Sequence, residues 1–337
     1  MQQVSIVGTG SYVPPHIHDN ERMARVVGQK DAAWVTDLLG ITTRRFMTPI
    51  SSQTGTPETE VDELDMAVAA ARQAMADAGV KPEEVGLLWY ITCTQPDGRR
   101  HFSRMAMQLH ERLGLRPEAL PIEMDAGCGG SLHALNLAKQ QLAGSESEVA
   151  LVVSSNCPSQ FMDRNDYQKT GAWLSMYIFG DGAGAMVLRK SDGRERGILA
   201  SYLAVDPSSP LMRFESRIPG VDPVYEIDAK QVAKSFGRYA WQAIEALMKV
   251  HPFSLADIQR FYFHQVNPKV LRRFLEQRNI PLDRTPINAE RYGNTAAAAT
   301  FILLDEDRHE GRVKEGDLVL FCTIGAGAQY GATLVRL

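Results

Sequence analysis

A cysteine in a glycine-rich stretch is the residue of this chain best suited to chemistry. Cys128 lies in residues 124–130, MDAGCGG, directly before a stretch with helical apolar spacing. At a helix N-terminus the dipole and the free N–H groups favour a thiolate, so we expect a lowered pKa for this thiol. The flanking glycines leave room for a ligand to approach the backbone. An isolated cysteine is usually a core residue, but this setting indicates a nucleophile; Cys93, Cys157 and Cys322 have no comparable setting.

Two polar side chains in the second half of the chain are candidate partners for this thiol. His264 ends an apolar run typical of a strand, and open α/β sheets place their chemistry at the carboxyl ends of strands. Asn294 opens a helix of small residues within residues 291–299, RYGNTAAAA. Taken singly, the histidine fits a structural group and the asparagine fits an N-cap. Together, a neutral imidazole and an amide can donate hydrogen bonds to a developing oxyanion.

The elements that must position these residues occur twice along the chain. A helical pattern over residues 63–79 precedes an apolar strand over 85–92, and the same order recurs over 229–250 and 258–265. Each copy continues through a small-residue loop, a helix and a further apolar strand. The sequence therefore predicts two copies of one βαβαβ unit.

The spacing of the two copies supports this prediction. Cys128 and Asn294 are 166 residues apart, and the strands that follow them begin 169 residues apart. Apolar strands alternating with helices indicate an α/β protein with mostly parallel sheets. We expect two fused halves, residues 1–174 and 175–337, in a five-layer αβαβα arrangement.

The composition excludes several classes of protein. The 337 residues carry a net charge of -4, whereas a nucleic-acid-binding protein needs a basic face. No apolar stretch is long enough to span a bilayer and no charged leader precedes an apolar run, so we expect a cytoplasmic protein that does not bind membranes. Four widely separated cysteines without a CxxC pair predict free thiols and no metal site.

Five ordered motifs resemble the β-ketoacyl-[acyl-carrier-protein] synthase III branch of the thiolase superfamily. They are the Cys128 loop, YIFGDGAGAMVL at 177–188, HQVN at 264–267, YGNTAAA at 292–298 and the closing IGAGAQYGATLVRL at 324–337. The resemblance covers nearly the whole chain. It implies the thiolase fold, a homodimer, and an acyltransferase that joins thioesters by Claisen condensation. It also implies that the enzyme needs no cofactor, because the phosphopantetheine arm arrives on the substrate carrier.

The resemblance assigns roles to individual residues. Cys128 accepts the acyl group, while His264 and Asn294 hold the thioester carbonyl of a carrier-bound malonyl or β-ketoacyl substrate as its enolate forms. The backbone N–H groups of Cys128 and Ala326 form a second oxyanion hole. Phe102 is implied to help shape the acyl pocket.

Two positions depart from the family pattern. Members that use coenzyme A carry an arginine where Leu38 stands, four residues after Trp34. The missing arginine removes a phosphate partner, which favours acyl carrier protein over free acyl-coenzyme A as the donor. Ala326 replaces a glycine, which retains the N–H group and adds a methyl group near the site. These changes indicate a role in specialised metabolism.

A basic helix face is a candidate docking site for the carrier. Lys269, Arg272 and Arg273 are spaced at i, i+3 and i+4, so they share one face and could attract an acidic acyl carrier protein. The alternative, a solvated basic face with Glu276 as a local partner, is equally compatible with this spacing.

Other functions compete with this hypothesis. One is a ketosynthase that joins two β-ketoacyl chains with pyrone-type ring formation. An acyltransferase acting on an alcohol or amine would need a general base, which Asn294 cannot supply. A non-catalytic partner subunit would not need all three side chains, and a serine hydrolase using Ser131 would need a Gly-x-Ser-x-Gly elbow that is missing from the sequence.

Overall fold

The computed structural model describes residues 2–94, 104–191, 196–208, 210–215 and 218–337. Apolar runs and alternating patterns form the strands. In chain order they are β1 (Gln3–Tyr12), β2 (His16–Asp19), β3 (Thr43–Phe46), β4 (Val85–Ile91), β5 (Leu120–Met124), β6 (Val149–Asn156), β7 (Gly182–Ser191), β8 (Gly197–Val205), β9 (Met212–Glu215), β10 (Val224–Ile227), β11 (Arg260–Phe263), β12 (Leu318–Ile324) and β13 (Gln329–Arg336).

The helices begin at side-chain caps in several cases, as at α8, where the Asp228 carboxylate accepts a hydrogen bond from Gln231 N. In chain order they are α1 (Asn20–Val27), α2 (Ala32–Leu39), α3 (Glu63–Asp77), α4 (Met105–Leu113), α5 (Gly130–Gly144), α6 (Arg164–Thr170), α7 (Ser175–Ile178), α8 (Ala229–Val250), α9 (Pro268–Arg278), α10 (Ala289–Tyr292) and α11 (Ala299–His309).

Two β-sheets with equivalent strand orders form the centre of the protein. The first sheet has the order β1-β7-β6-β4-β5 and the second has the order β8-β13-β12-β11. Strands β4, β5 and β6 are mutually parallel, as are β11 and β12, whereas β7 and β13 run antiparallel to both of their neighbours. The sheets are therefore mixed, although in each of them a single described strand, β7 or β13, opposes the direction that the other strands share. A short connection such as the one from β12 to β13 can join only antiparallel neighbours.

The helices complete the five predicted layers. Helices α5 and α11 lie between the sheets, where Leu132, Leu135, Phe301 and Leu304 belong to one buried cluster. Helices α3 and α4 cover the outer face of the first sheet, and α8 and α9 cover that of the second. A fourth buried cluster joins α1, α2, α6 and α7 to β10.

The duplication is visible at the start of the two central helices. A 3₁₀ turn at Gly127–Gly129 leads into α5, and an equivalent turn at Ala296–Ala298 leads into α11. Ser131 and Thr300, which are equivalent by the 169-residue offset, face each other with their hydroxyl oxygens 3.5 Å apart. The loops that carry Cys128 and Asn294 therefore lie on the same side of the central layer.

The boundary between the halves differs from the predicted one. Strand β7 follows residue 175, yet it lies between β1 and β6 in the first sheet. The second half of the architecture thus begins at β8, after residue 191, and not at 175. An apolar strand pattern does not identify the sheet that the strand joins, which explains the difference.

Candidate active site

Cys128 occupies the turn that leads from β5 into α5. Gly127 has a φ of 52°, a left-handed conformation that favours glycine, and its N–H donates to Asp125 Oδ1 at 3.0 Å. The turn directs Cys128 into the interior, where the residue is only 6% exposed. The predicted position at a helix N-terminus is therefore present.

The environment of the Cys128 thiol differs from the expected one. Burial raises its pKa to about 12, and the nearby Asp125 acts in the same direction. A backbone hydrogen bond opposes the rise but is a smaller effect than burial. The expectation of a lowered pKa was wrong, because removal of the sulfur from water disfavours the thiolate more than the turn favours it. The candidate nucleophile is therefore a neutral thiol at pH 7.

His264 directly follows β11, and it lines the same cavity as Cys128. Its backbone N–H donates to Cys322 O at 2.8 Å, which continues the β11–β12 ladder by one residue. The residue is 2% exposed, and burial lowers the pKa of its imidazole to about 4. Its Nδ1 has no hydrogen-bond partner within the described residues. The ring is therefore neutral at pH 7 and retains hydrogen-bonding capacity.

Asn294 lies where two chain segments meet. Its N–H donates to Ile178 O at 2.8 Å, and its carbonyl accepts from Gly180 N at 3.1 Å. Its side-chain Oδ1 accepts from Ala296 N at 2.9 Å and so caps the following turn. Because the amide oxygen is engaged, the NH₂ group is the part of the side chain that can donate to a ligand. The N-cap role and a substrate-binding role are thus compatible.

The C-terminal glycine-rich turn packs against the turn of the cysteine. A Cβ atom added to Gly325 would lie 2.5 Å from Gly129 N, so only glycine permits this approach. A Cβ atom on Gly127 would lie 3.3 Å from Ala326 N. The backbone of Ala326 is thereby held beside that of Cys128.

These residues line one narrow cavity. The space open to the centre of a water molecule measures about 30 Å³, and Cys128, His264 and Asn294 share it with Gly325 and Ala326. The other walls are entirely apolar. They are formed by Leu211, Met212, Ile227, Val232, Phe236, Val266 and Ile324. The structure thus brings together the nucleophile candidate, the two donor candidates and the Ala326 turn.

Comparison with known proteins is decisive at this point. The profile of 3-oxoacyl-[acyl-carrier-protein (ACP)] synthase III matches residues 122–207, and the profile of the C-terminal part of that synthase matches residues 248–337. The β-ketoacyl-[acyl-carrier-protein] synthase III of Alkalilimnicola ehrlichii is 31% identical over 347 aligned positions, which cover 100% of both chains. The chain belongs to the 3-oxoacyl-[acyl-carrier-protein] synthase III family.

Solved structures agree with this membership in the synthase III family. The 3-oxoacyl-[acyl-carrier-protein] synthase III of Aquifex aeolicus has a TM-score of 0.84 at 26% identity, and the match covers 99% of this chain and 100% of that one. The priming β-ketosynthase of the R1128 polyketide pathway has a TM-score of 0.85 at 28% identity, with coverages of 100% and 96%. The protein therefore has the thiolase fold and is a condensing enzyme of the acyltransferase class.

Lys269, Arg272 and Arg273, the residues predicted to dock the carrier, differ from one another in their surroundings. Lys269 Nζ binds Asp37 Oδ1 at 2.9 Å, and Arg272 binds Glu290 at 2.7 Å. Arg273 is exposed and lines a groove between α8 and α9. Glu276 is therefore not the partner of this face; the acids come from α2 and α10.

The two residues of the predicted nucleotide region lie together on α2. Trp34 is 39% exposed and Leu38 is 42% exposed. The Trp34 ring lies 6.1 Å from that of Trp173. Phe102, the predicted acyl-pocket residue, lies outside the described residues. Within the described part of the chain, no helix is long and apolar enough to cross a membrane.

Sequence reasoning missed most of the apolar cavity wall. Leu211, Met212 and Ile227 come from β9, β10 and the segment before them, for which no pattern was recognised. Val232 and Phe236 lie on α8 at i, i+4 spacing, so the helical pattern placed them on a buried face. The helical pattern does not indicate that this face of α8 reaches the cavity that Cys128 lines.

Proposed function

We propose that this protein joins two thioesters by Claisen condensation, with the acyl group of the first substrate carried on Cys128. The observation that supports the proposal most strongly is the convergence of Cys128, His264 and Asn294 on one buried cavity. Acyl transfer requires a nucleophile, for which the thiol is suited. The oxyanions of acyl transfer and condensation require hydrogen-bond donors, which the two neutral side chains and the two adjacent backbone turns can supply.

The first step transfers the acyl group. The sulfur of Cys128 attacks the thioester carbonyl carbon, the bond from that carbon to the donor sulfur breaks, and the departing thiolate takes up the proton that Cys128 loses. The backbone N–H groups of Cys128 and Ala326 stabilise the oxyanion that forms on the carbonyl oxygen. Because the thiol is neutral at rest, its proton must leave as the attack proceeds.

The second step forms the carbon–carbon bond. Loss of carbon dioxide from a malonyl thioester, or transfer of the α-proton of a β-ketoacyl thioester to solvent water, gives an enolate whose oxygen accepts hydrogen bonds from His264 and Asn294. The enolate α-carbon attacks the acyl carbonyl carbon, the bond from that carbon to the Cys128 sulfur breaks, and the released thiolate takes up a proton from solvent. A neutral imidazole suits this role, since its low pKa keeps it from competing for protons as a strong base. These groups need no resident cofactor.

We assign carrier docking to the groove between α8 and α9. It is lined by the basic side chains of Lys234, Arg238, Arg273 and Arg278. Helix α8 separates the groove from the cavity, because Val232 and Phe236 on the same helix line the cavity. An acidic acyl carrier protein bound there would have its phosphopantetheine arm close to the site. Lys269 and Arg272, already paired with carboxylates, contribute less than the sequence suggested.

We also propose a homodimer formed through the first sheet. Among the residues that the structure describes, strand β5 is an edge strand that pairs only with β4. Its Leu120 is 55% exposed, and Ile122 and Met124 are only partly buried. An edge of this kind pairs readily with the same strand of a second copy. The four free cysteines suit the reducing cytoplasm, which is the compartment that we propose.

The proposed reaction is tested by product analysis. Purified protein is given an acyl thioester and a malonyl- or β-ketoacyl-carrier protein, and the β-keto product is measured by mass spectrometry. Wild type and Cys157→Ala, which alters a buried thiol beside Ser159, should both form product, whereas Cys128→Ala should form none. Product formation by Cys128→Ala at the wild-type rate would remove the basis of the proposal.

A further inference from the structure

Arg44, on β3, is an arginine that the protein buries completely. Its guanidinium donates to three neutral oxygens: His18 O at 3.0 Å, Asn20 Oδ1 at 2.7 Å and Tyr177 O at 2.8 Å. None of these acceptors is a carboxylate, and Nε has no partner within the described residues. Burial lowers the pKa of this guanidinium to about 9. The protein thus holds a cation away from water with only neutral oxygens as hydrogen-bond acceptors, although the charge of the nearby Asp19 partly opposes the fall in pKa.

Stability alone does not explain this arrangement. Transfer of a charged group from water into the interior costs several kcal/mol, and apolar side chains of similar volume often stabilise a protein equally well or better. The explanation must therefore lie in what the three hydrogen bonds of Arg44 hold in place.

One of these bonds reaches the segment that positions Asn294. Tyr177 O, the acceptor of Arg44, lies one residue before Ile178, whose carbonyl accepts from Asn294 N. Two residues further along the segment, Gly180 N donates to Asn294 O. Arg44 therefore binds the backbone directly beside the bridge between residues 178–180 and Asn294.

The aliphatic part of Arg44 packs against both sides of the same bridge. A Cβ atom on Gly180 would lie 3.4 Å from Arg44 Cβ, and one on Gly293 would lie 3.0 Å from it. At Gly180 the added atom would also collide with Tyr292 O, at 1.9 Å. The aliphatic stem of Arg44 therefore packs tightly against Gly180 and Gly293, and Gly293 is the residue directly before Asn294.

The two residues before Arg44 form hydrogen bonds to the chain segment that precedes Asn294. Thr42 N donates to Glu290 O at 2.8 Å, and Thr43 Oγ1 donates to Arg291 O at 2.7 Å. These acceptors lie in α10, which ends just before Gly293. The strand that carries Arg44 therefore contacts the chain on both sides of the bridge.

We propose that Arg44 is a positioning residue for Asn294. It acts by fixing the Tyr177 carbonyl and, through the bridge, the backbone from which the Asn294 amide is presented to the enolate. The inference rests on the proposed role of Asn294 in condensation. Misplacement of a transition-state-stabilising group by about 1 Å lowers a rate by about 100-fold. Removal of Arg44 should therefore impair condensation and leave acylation of Cys128 largely intact.

The test measures the two half-reactions separately in Arg44→Met and Arg44→Lys. Acylation is followed by intact-protein mass spectrometry after mixing with an acyl thioester, and condensation is followed by product formation from the loaded enzyme. The matched control is Arg260→Met. Arg260 is another poorly exposed arginine, paired with Asp307 at the opposite end of β11 from His264. All assays are run well below the melting temperature of each variant.

We expect Arg44→Met to acylate within about threefold of wild type and to condense at least about tenfold more slowly. Arg44→Lys, which keeps a cation but reaches fewer acceptors, should show a smaller loss of the same kind and serves if Arg44→Met does not fold. Arg260→Met should lower the melting temperature without changing the ratio of the two rates. An unchanged ratio in both Arg44 variants would overturn the inference. If Asn294→Ala itself condenses at the wild-type rate, the proposed function has failed instead.

Discussion

Burial shifts the pKa values of Cys128 and His264, the proposed catalytic pair, in opposite directions. It raises the pKa of the Cys128 thiol to about 12 and lowers that of the His264 imidazole to about 4. A thiolate–imidazolium pair is therefore not the resting state of this site. Both groups are neutral at pH 7, and the charge that develops on the carbonyl oxygen in the proposed reaction is stabilised by backbone N–H groups that are already in place.

The roles proposed for His264 and Asn294 predict a separation of the two half-reactions. His264→Ala and Asn294→Ala remove donors to the enolate but leave the Cys128 turn untouched. Each should lower the rate of condensation by about 100-fold or more, while acylation of Cys128 stays within a few fold of wild type. Rapid-quench measurement of acyl-enzyme and product gives both rates. Equal losses in both steps would show that these side chains serve the fold and not the enolate.

The lowered pKa of His264 also predicts a dependence of stability on pH. Between the ordinary value of 6.5 and the folded value of about 4, the unfolded chain binds a proton that the folded protein does not. The free energy of unfolding should therefore fall as pH falls, by about 2 kcal/mol from pH 6.5 to pH 5 for this group. Urea titrations of wild type and His264→Gln measure the contribution.

The comparison with His264→Gln is needed because other groups titrate in the same range. His18 shares the shift to about 4, whereas Glu63, whose pKa burial raises to about 8, makes the opposite contribution. The variant should lose less stability than wild type between pH 6.5 and pH 5. If both lose the same amount, His264 is protonated in the folded protein and the neutral-donor mechanism is wrong.

At the scale of elements, the groove between α8 and α9 makes its own prediction. Lys234 and Arg273 line it and form no ion pair within the described residues. The double variant Lys234→Glu/Arg273→Glu should raise the KM for a carrier-bound thioester at least about tenfold, because it reverses two charges that would face the acidic carrier proposed to dock there. The kcat with carrier and the activity with a small free thioester should change little.

The control for this experiment is the double variant Lys81→Glu/Lys314→Glu, at two exposed lysines outside the groove. It makes the same change in net charge without touching the groove. For wild type, the KM should rise with salt, since exposed charges are screened. Equal effects of the groove and control variants would indicate that net charge, and not the groove, governs carrier binding.

Much of this architecture could be predicted from local patterns. The helical spacing over residues 229–250 coincides with α8, and apolar runs identified β4, β6 and β12 within a few residues. The glycine loop of Cys128 and the strand end at His264 marked two of the residues that share the cavity. Internal repetition indicated two similar halves, because the same order of helical and strand patterns occurs twice in the sequence.

The features that could not be predicted depend on contacts between distant parts of the chain. The pKa of Cys128 follows from how deeply the turn is buried, which the turn sequence does not encode. The partners of Lys269 and Arg272 are Asp37 and Glu290, which lie on other helices, 232 and 18 residues away in sequence. A sequence pattern shows that a residue is basic, but it does not show whether an acidic side chain already forms an ion pair with it.

The whole molecule brings equivalent loops of two halves to one site. The turns before α5 and α11 meet across the central layer, as the contact between Ser131 and Thr300 shows. One loop carries Cys128 and the other carries Asn294, so the account assigns a different role to each copy. Neither half contains a complete site, and the fused core between the sheets keeps the two loops in register.

The proposed dimer is a property of the whole molecule and is tested at its sheet edge. Wild type should have a mass in solution of twice 37.3 kDa by light scattering. Leu120→Glu places a charge on the exposed residue of β5 and should shift the protein toward monomer. Val250→Glu, which changes an exposed apolar residue at the end of α8, should leave the mass unchanged. A monomeric wild type would contradict this assembly.

The most direct test of the central claim follows one acyl group through the reaction. Wild type is loaded with an isotopically labelled acyl thioester, freed of excess donor, and then mixed with a malonyl- or β-ketoacyl-carrier protein. The account predicts that the label is first found on Cys128 by peptide mapping. It then leaves the enzyme and appears in a product with a new carbon–carbon bond, while Cys128→Ala never acquires it. A label found on another residue, or one that stays on Cys128 with every second substrate offered, would contradict the account.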